Sequence, residues 1–477
     1  MSGGPVAARP QLGGTPPRLF GTDGIRKVVG TDLNPAFVSA VASAVAEHLH
    51  HHGTVLIAQD FRTTSPGIAR ILAGTLQMAG VDVVEMGAMP TPALQFNVRA
   101  LAADLGLMVT ASHNPTEFNG IKFSGPVGLE LTRGEEVELE RLLFEGRPSP
   151  IRWDRAGSIH ADSSGVDRYL ASIRKNVEAD RIRSFAPRVV LDCGNGTSAA
   201  TSPRLLVELG CRLTTLNANP DGRFPGHPSE PTAENLVDLS RAVVASGGVL
   251  GVAHDGDADR VAFIDETGRY IPGEETLALF ADDVLARQPN ATIVTSVTSS
   301  SCIDEVVRAR GGRLVVTRSG SLPVAEGITS SGAAFGGEEN GGYYSPAHQV
   351  ARDGPMSSAR MLELLARTGE PLSQLVARLP QFRLVKTKVP LPPEFRPIVM
   401  AEVEEEMGAR ATRLLTLDGV KAYFADGWLL VRPSGTEPIC RIFSESRELT
   451  RAQALNQLGA GLVTSLVRAH TDGAKPS

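Results

Sequence analysis

Residues 105–115 read LGLMVTASHNP. Leu105, Gly106, Leu107, Met108 and Val109 run without a polar break and then stop at Thr110-Ala111-Ser112-His113-Asn114-Pro115. A short apolar run bounded by turn residues is the pattern of a buried strand, and Asn-Pro turns the chain at its end. The pattern recurs twice. Residues 248–260, GVLGVAHDGDADR, break at Asp255, and residues 332–342, GAAFGGEENGG, break at Glu338. In open α/β sheets ligands gather beyond the carboxyl ends of the strands. These stretches therefore predict three sheets that each deliver one polar loop to a shared cleft.

Working outward, β-rich runs lie at 54–58, 81–85, 188–192, 249–253, 292–296, 313–317 and 333–335, with helical patterns between them. Over 34–50, for instance, Ala, Val and Leu recur at helical spacing. The alternation predicts α/β layers with largely parallel sheets. Near residue 386 the texture changes. KTKVPLPPEF leads into an acidic helix at about 397–409, then into VKAYF, WLLVRPS and ICRIFSES. Turn residues such as Asp426-Gly427 link these last runs, so they read as antiparallel strands of a smaller α+β domain, closed by a helix at about 450–469.

A chain of 477 residues makes three or four domains, at roughly 100–200 residues each. With 42% hydrophobic and 21% charged residues, each can bury a core of its own. The net charge of -6 carries no long basic stripe, which argues against a nucleic-acid surface, although local arginine clusters can still bind small phosphorylated ligands. The four cysteines, Cys193, Cys211, Cys302 and Cys440, are far apart and form no C-x-x-C pair. That speaks against a zinc ribbon or disulfide framework and for a reducing, cytoplasmic setting. No run of 18 apolar residues predicts a membrane span, and no apolar signal segment opens the chain. Residues 1–17, rich in Gly, Pro and Ala, are expected to form a mobile tail.

Four loops carry candidate chemistry. Ser112 at a strand end can serve as a nucleophile, with His113 as donor or base. Lys122 can neutralise phosphoryl charge or carry a proton. The alternative is a plain Asn-Pro turn in which Ser112 and His113 cap backbone groups. Asp255-Gly256-Asp257-Ala258-Asp259-Arg260 places three carboxylates two residues apart, a hard oxygen set suited to Mg²⁺. An EF-hand reading needs glycine at the sixth position, where Arg260 stands; a solvated acidic turn is the other alternative. Gly336-Gly337-Glu338-Glu339-Asn340-Gly341-Gly342 offers acceptors and donors for sugar hydroxyls, or is a Gly-rich surface turn. Arg432-Pro433-Ser434-Gly435-Thr436-Glu437-Pro438 combines a guanidinium, two hydroxyls and backbone N–H groups, as anion-binding loops do, or is an ordinary turn between strands. Arg26, in Phe20-Gly21-Thr22-Asp23-Gly24-Ile25-Arg26, could reach an active-site phosphate. His48, His50, His51 and His52 look like a metal site but suit a surface helix end better.

Taken in order, GTDGIR, TASHNP, DGDADR, GGEENGG and RPSGTEP resemble the α-D-phosphohexomutase family of phosphoglucomutases, phosphomannomutases and phosphoglucosamine mutases, over about residues 18–467. The resemblance implies three similar α/β domains around a central cleft plus a C-terminal TATA-binding-protein-like α+β domain. The expected divisions are 18–157, with the phosphoserine loop, 158–268, with the metal loop, 269–385, with the sugar-binding loop, and 386–477, with the phosphate-binding loop. It implies that Ser112 is phosphorylated and that Asp255, Asp257 and Asp259 hold Mg²⁺ together with that phosphate. Arg260, Lys122, His113 and Arg26 would line the same pocket, with Lys122 a candidate acid/base. Glu338 and Asn340 would meet sugar hydroxyls, joined by the loop Thr317-Arg318-Ser319-Gly320. Arg432, Ser434, Gly435 and Thr436 would hold the phosphate that is not reacting.

The implied activity interconverts hexose 6-phosphate and hexose 1-phosphate, with hexose 1,6-bisphosphate as intermediate and activator. The protein would work as a monomer or homodimer on small sugar phosphates, without nucleic acid or membrane. Phosphoglucosamine mutase is the first assignment, from GTDGIR. Phosphomannomutase or phosphoglucomutase is the alternative, since DGDADR and GGEENGG look like archaeal-type phosphohexomutases. The sugar loop ends in Asn340-Gly341-Gly342 where bacterial relatives often have Ser-Gly-His, so a histidine contact is missing. A phosphoserine-type sugar phosphatase and a non-catalytic sugar-phosphate sensor are the rival readings.

Overall fold

The computed structural model describes residues 19–473 except Thr22, Arg147, Pro148 and Thr436. The expected tail at 1–17 lies outside the described residues. Four sheets follow one another along the chain. The first takes β1 (Ile25–Val28), β2 (Thr54–Gln59), β3 (Asp82–Ala88), β4 (Leu105–Val109), β5 (Phe118–Ser124) and β6 (Ile159–Ala161) in the order β1-β5-β4-β2-β3-β6. β2 pairs in parallel with β3 and β4, whereas β5 runs antiparallel to β1 and β4. β4 is buried at every position, as its unbroken apolar run requires.

The second sheet is built from β7 (Arg188–Asp192), β8 (Arg212–Leu216), β9 (Leu250–His254), β10 (Val261–Ile264) and β11 (Tyr270–Ile271), ordered β11-β10-β9-β7-β8. The third holds β12 (Thr292–Ser296), β13 (Arg313–Thr317), β14 (Phe335–Gly337), β15 (Tyr343–Ser345) and β16 (Gln349–Arg352), ordered β13-β12-β14-β15-β16. All three sheets are mixed: parallel at the centre, antiparallel where a polar loop turns back as a hairpin. Two expected divisions therefore move. β6 joins the first sheet beyond residue 157, and β11 joins the second beyond residue 268. Both are short edge strands with no apolar run to announce them.

Helices cover the sheets as their periodicity requires. Pro35–His48 is capped by Asn34, whose side chain accepts from the Phe37 N–H at 3.0 Å, and it buries Val38, Val41, Ala42 and Val45. One continuous apolar cluster runs through the first three sheets, from Leu56 and Met108 through Leu191 and Phe263 to Ile293 and Leu362.

The C-terminal sheet is antiparallel throughout. Its strands are β17 (Arg383–Pro390), β18 (Arg413–Leu415), β19 (Val420–Phe424), β20 (Gly427–Pro433) and β21 (Ile439–Ser446), ordered β17-β21-β20-β19-β18. Leu429 and Val431 face helices Arg396–Gly408 and Leu449–Gly473 in a separate core. Trp428 and Leu430, on the opposite face of β20, pack with Val297, just past the end of β12. The period of two along β20 thus divides its residues between a core and an interdomain contact. No described helix is long and apolar enough to cross a membrane.

Candidate active site

Ser112 follows β4 with φ +51°, in the left-handed region that a side-chain-bearing residue enters only at some cost. Neighbours hold it there. Its N–H donates to Thr110 Oγ1 at 2.9 Å, and Thr110 Oγ1 donates to Asp60 Oδ2 at 2.7 Å. Arg62 then clamps the loop. Its guanidinium donates to the carbonyls of Ser112 (2.9 Å), Asn114 (2.6 Å), Pro115 (2.7 Å) and Phe118 (3.0 Å), and its Nε lies 3.2 Å from Asp60. Burial raises the Asp60 pKa, although Arg62 and two hydroxyls pull the other way. Sequence reasoning missed this pair, although Asp60 and Arg62 stand directly after the apolar β2, where ligand-proximal residues collect.

The aspartate loop meets the serine loop backbone to backbone. A Cβ on Gly256 would stand 2.5 Å from the Ser112 carbonyl oxygen, so only glycine fits. Asp255 Oδ2 accepts from Ser112 Oγ at 3.0 Å and from Arg260 Nε at 3.2 Å. His113 Nδ1 lies 3.2 Å from the same Oγ. Burial and the Arg260 and Arg26 guanidinium groups push the His113 pKa down to about 2, so the imidazole is neutral and serves as a hydrogen-bond partner rather than a base. Arg26, on β1, donates to Asn114 Oδ1 at 3.0 Å, which brings it to the serine loop.

Asp255, Asp257 and Asp259 offer oxygens that all lie within 4.8 Å of one another, and they form the only such group of metal-ligand residues among the described residues. Oδ1 of Asp257 and Oδ1 of Asp259 are buried without a hydrogen-bond partner. Unpartnered carboxylate oxygens in a buried triad fit a small hard cation such as Mg²⁺. Thr91 orients Asp257, donating to its Oδ2 at 2.5 Å. Burial and the neighbouring Asp259 and Asp257 carboxylates raise Asp255 to about 7. Burial also acts to raise Asp257, but the Lys122 ammonium overrides it and the net shift is downward.

Lys122, on β5, contacts Asp23 (2.6 Å), Asp257 (2.8 Å) and Asp259 (2.9 Å). Burial acts to lower its pKa, yet the three carboxylates outweigh that and raise it. Against these carboxylates alone the lysine is an ammonium, placed where it can neutralise charge. Arg352 closes the ring, with Nη2 at 3.0 Å from Asp23 and 2.7 Å from Asp259. Neither Asp23 nor Arg352 stood out as a site residue in the sequence, because their shortest contacts are to residues distant in the chain, Lys122 for Asp23 and Asp259 for Arg352. Arg260 Nη1 reaches Glu230 at 3.4 Å, and its Nη2 is buried without a partner.

The sugar loop docks beside the aspartate loop: Val261 N–H donates to the Gly341 carbonyl at 3.1 Å, and Gly341 has φ +92°. Glu338 is buried, and burial with the adjacent Glu339 raises its pKa. It accepts from Gly320 N–H at 2.9 Å, so the 317–320 loop does join it. Asn340 is exposed, its side chain accepting from Gly342 N–H at 3.0 Å. Arg432 and the buried Ser434 lie at the end of β20, with Gly435 exposed beside them; Thr436 lies outside the described residues. Among the described residues no hydrogen bond or ion pair joins Arg432 to the serine or aspartate loop. It pairs with Asp418 at 2.8 Å. Of the four histidines, His51 engages the Ala79 carbonyl and Glu47, as a helix end would.

Comparison with known proteins agrees with this arrangement. Family models of phosphoglucomutase/phosphomannomutase match in order: α/β/α domain I at residues 17–149, domain II at 167–268, domain III at 272–382 and the C-terminal domain at 384–457. A probable phosphoglucosamine mutase of Methanopyrus kandleri is 40% identical, over 92% of this chain and 96% of its own. A phosphoglucomutase/phosphomannomutase of Thermococcus kodakarensis is 37% identical, over 94% and 99%. The crystal structure of a phosphoglucomutase/phosphomannomutase family protein from Burkholderia thailandensis superposes with a TM-score of 0.84 at 27% identity, over 94% of this chain and 97% of that one. The chain belongs to the phosphoglucomutase/phosphomannomutase family, the α-D-phosphohexomutases, and is an enzyme of the phosphohexomutase type.

Proposed function

We propose that the protein interconverts hexose 6-phosphate and hexose 1-phosphate through phospho-Ser112, with glucosamine phosphate as its preferred substrate. The observation that supports this most is the Ser112 hydroxyl itself. It is presented at positive φ, 3.0 Å from a carboxylate of the buried aspartate triad, with Lys122 2.8 Å from Asp257 of the same triad.

In the forward direction the P–O bond to Ser112 Oγ breaks, a bond forms to a sugar hydroxyl oxygen, and the hydroxyl proton passes to an adjacent base. The 1,6-bisphosphate then turns over in the cleft and returns its other phosphoryl group to Ser112 Oγ. Free hexose 1,6-bisphosphate would charge an unphosphorylated enzyme by the same step. Asp255, Asp257 and Asp259, with the phosphoserine, would hold Mg²⁺, which neutralises charge on the transferring group. Arg260, Arg26 and His113 line the pocket and orient the phosphoryl group. Glu338 and Asn340 hold sugar hydroxyls. Arg432, Ser434, Gly435 and Thr436 grip the phosphate at rest, so that the C-terminal domain acts as a lid that excludes water. Support for glucosamine comes from GTDGIR and from the named relative of Methanopyrus kandleri; the Thermococcus kodakarensis relative supports glucose or mannose phosphate as the alternative.

Phosphorus NMR of the protein with Mg²⁺ and a trace of hexose 1,6-bisphosphate tests this, with glucosamine, mannose and glucose 6-phosphates offered separately. The expected result is a 1-phosphate signal, strongest for glucosamine. Free phosphate alone would mark a phosphatase, and bound ligand without turnover a sensor.

A further inference from the structure

Glu338 and Arg432 belong to different sheets, yet one chain of hydrogen bonds joins them. Glu338 Oε1 accepts from the Gly320 N–H at 2.9 Å and from the Ser319 hydroxyl at 3.4 Å. The Ser319 N–H donates to Asp418 Oδ2 at 3.1 Å, and the same oxygen accepts from Arg432 Nε at 2.8 Å. Asp418 is set in place by its turn between β18 and β19. Gly419 follows it at φ +83°, where a Cβ would collide with the Val431 carbonyl and stand 2.9 Å from Arg432 Cα. Positive φ and close approach both call for glycine there, and they lay Asp418 alongside Arg432. From the other side, Arg318 Nε donates to the Leu417 carbonyl at 3.1 Å, which ties the turn to the third sheet.

An arginine held through Nε keeps its planar fork in one orientation and leaves the Nη edge facing its ligand. Without that bond the long side chain must give up its rotamer freedom each time it grips an anion. We propose that Asp418 is a positioning residue that couples sugar recognition at Glu338 to phosphate recognition at Arg432, by holding both loops from one carboxylate oxygen. The proposal rests on the reading of 432–436 as the loop for the resting phosphate. It extends that reading by making the two ends of the substrate bind as one event. A sugar seated on Glu338 keeps the 317–320 loop in place, and that loop keeps Asp418 on Arg432.

Steady-state kinetics of Asp418→Asn, Arg432→Ala and the double variant test it, with inorganic phosphate as a competitive probe. Asp418→Asn should raise KM for the hexose phosphate about tenfold, the usual scale for a charge-assisted hydrogen bond. It should weaken phosphate inhibition in step and change kcat by less than about threefold, because only binding is touched. In the double variant the two effects should combine to less than their product, because part of what Asp418 does acts through Arg432, a shortfall that a merely destabilised turn would not produce. Wild-type KM in Asp418→Asn, or effects that multiply in the double variant, would overturn the coupling while leaving the phosphate loop intact. Wild-type KM in Arg432→Ala would instead remove the phosphate loop, and the coupling with it.

Discussion

At the scale of single residues, Ser112 combines a reactive hydroxyl with a backbone conformation that favours glycine. Replacing it separates the two. Ser112→Ala removes the hydroxyl and keeps the strained φ, whereas Ser112→Gly removes both. Neither should show mutase turnover. Ser112→Gly should be at least as resistant to denaturant as Ser112→Ala, since relief of a left-handed side-chain-bearing residue offsets glycine's extra chain entropy, each on the order of 1 kcal/mol. A urea titration of the two variants checks the order. Glu130 carries part of the pH dependence, beside Asp255, which is raised to about 7 and acts in the same direction. Burial, then the Asp23 carboxylate, push the Glu130 pKa from 4.5 up to about 8. The folded state keeps a proton that the unfolded chain releases above pH 4.5. Its stabilising contribution is therefore full below that pH and is lost as pH rises through about 8. Glu130→Gln, which mimics the protonated acid, should flatten the fall in stability between pH 5 and 8; an unaltered slope would contradict the assignment.

At the scale of elements, the serine loop owes its shape to the loop that follows β2. Arg62 donates to four carbonyls behind the active site, and Asp60 pairs with it. Arg62→Met should cost about 3 kcal/mol, as breaking one side of a buried ion pair does, and should lower kcat more than it raises KM. Chemical denaturation and initial rates would show both effects. The loops themselves were legible in sequence because an apolar strand ending at Ser112, Asp255 or Glu338 is a local pattern. The clamp was not, because Asp60 and Arg62 look like ordinary loop charges until β2 and β4 are paired in parallel.

At the scale of the whole molecule, Lys122, Asp23, Asp259 and Arg352 form one ring whose members come from the first, second and third sheets. Arg352→Met should lower the melting temperature and raise the Mg²⁺ concentration needed to protect the protein against heat, because Asp259 loses the contact that aims it. A thermal melt at graded Mg²⁺ reads this without any turnover. Mg²⁺ should stabilise the wild-type protein, since it binds the folded triad and finds no preformed site in the unfolded chain. Chelation should reverse that gain and stop turnover.

The sequence alone determined the α/β alternation, the antiparallel C-terminal domain and the five motifs that mark the family. Each of those signals is local: apolar periodicity, a turn dipeptide, a carboxylate every second residue. Only the tertiary structure decided that the three sheets are mixed, that β6 and β11 extend the first two, and that one apolar core runs through all three. It alone brought Lys122 against three carboxylates drawn from two loops. It also set Asp418 between Ser319 and Arg432. Charge partners meet across sheets, and the pKa of a buried group depends on those partners and on lost water; neither is written in a residue's neighbours along the chain.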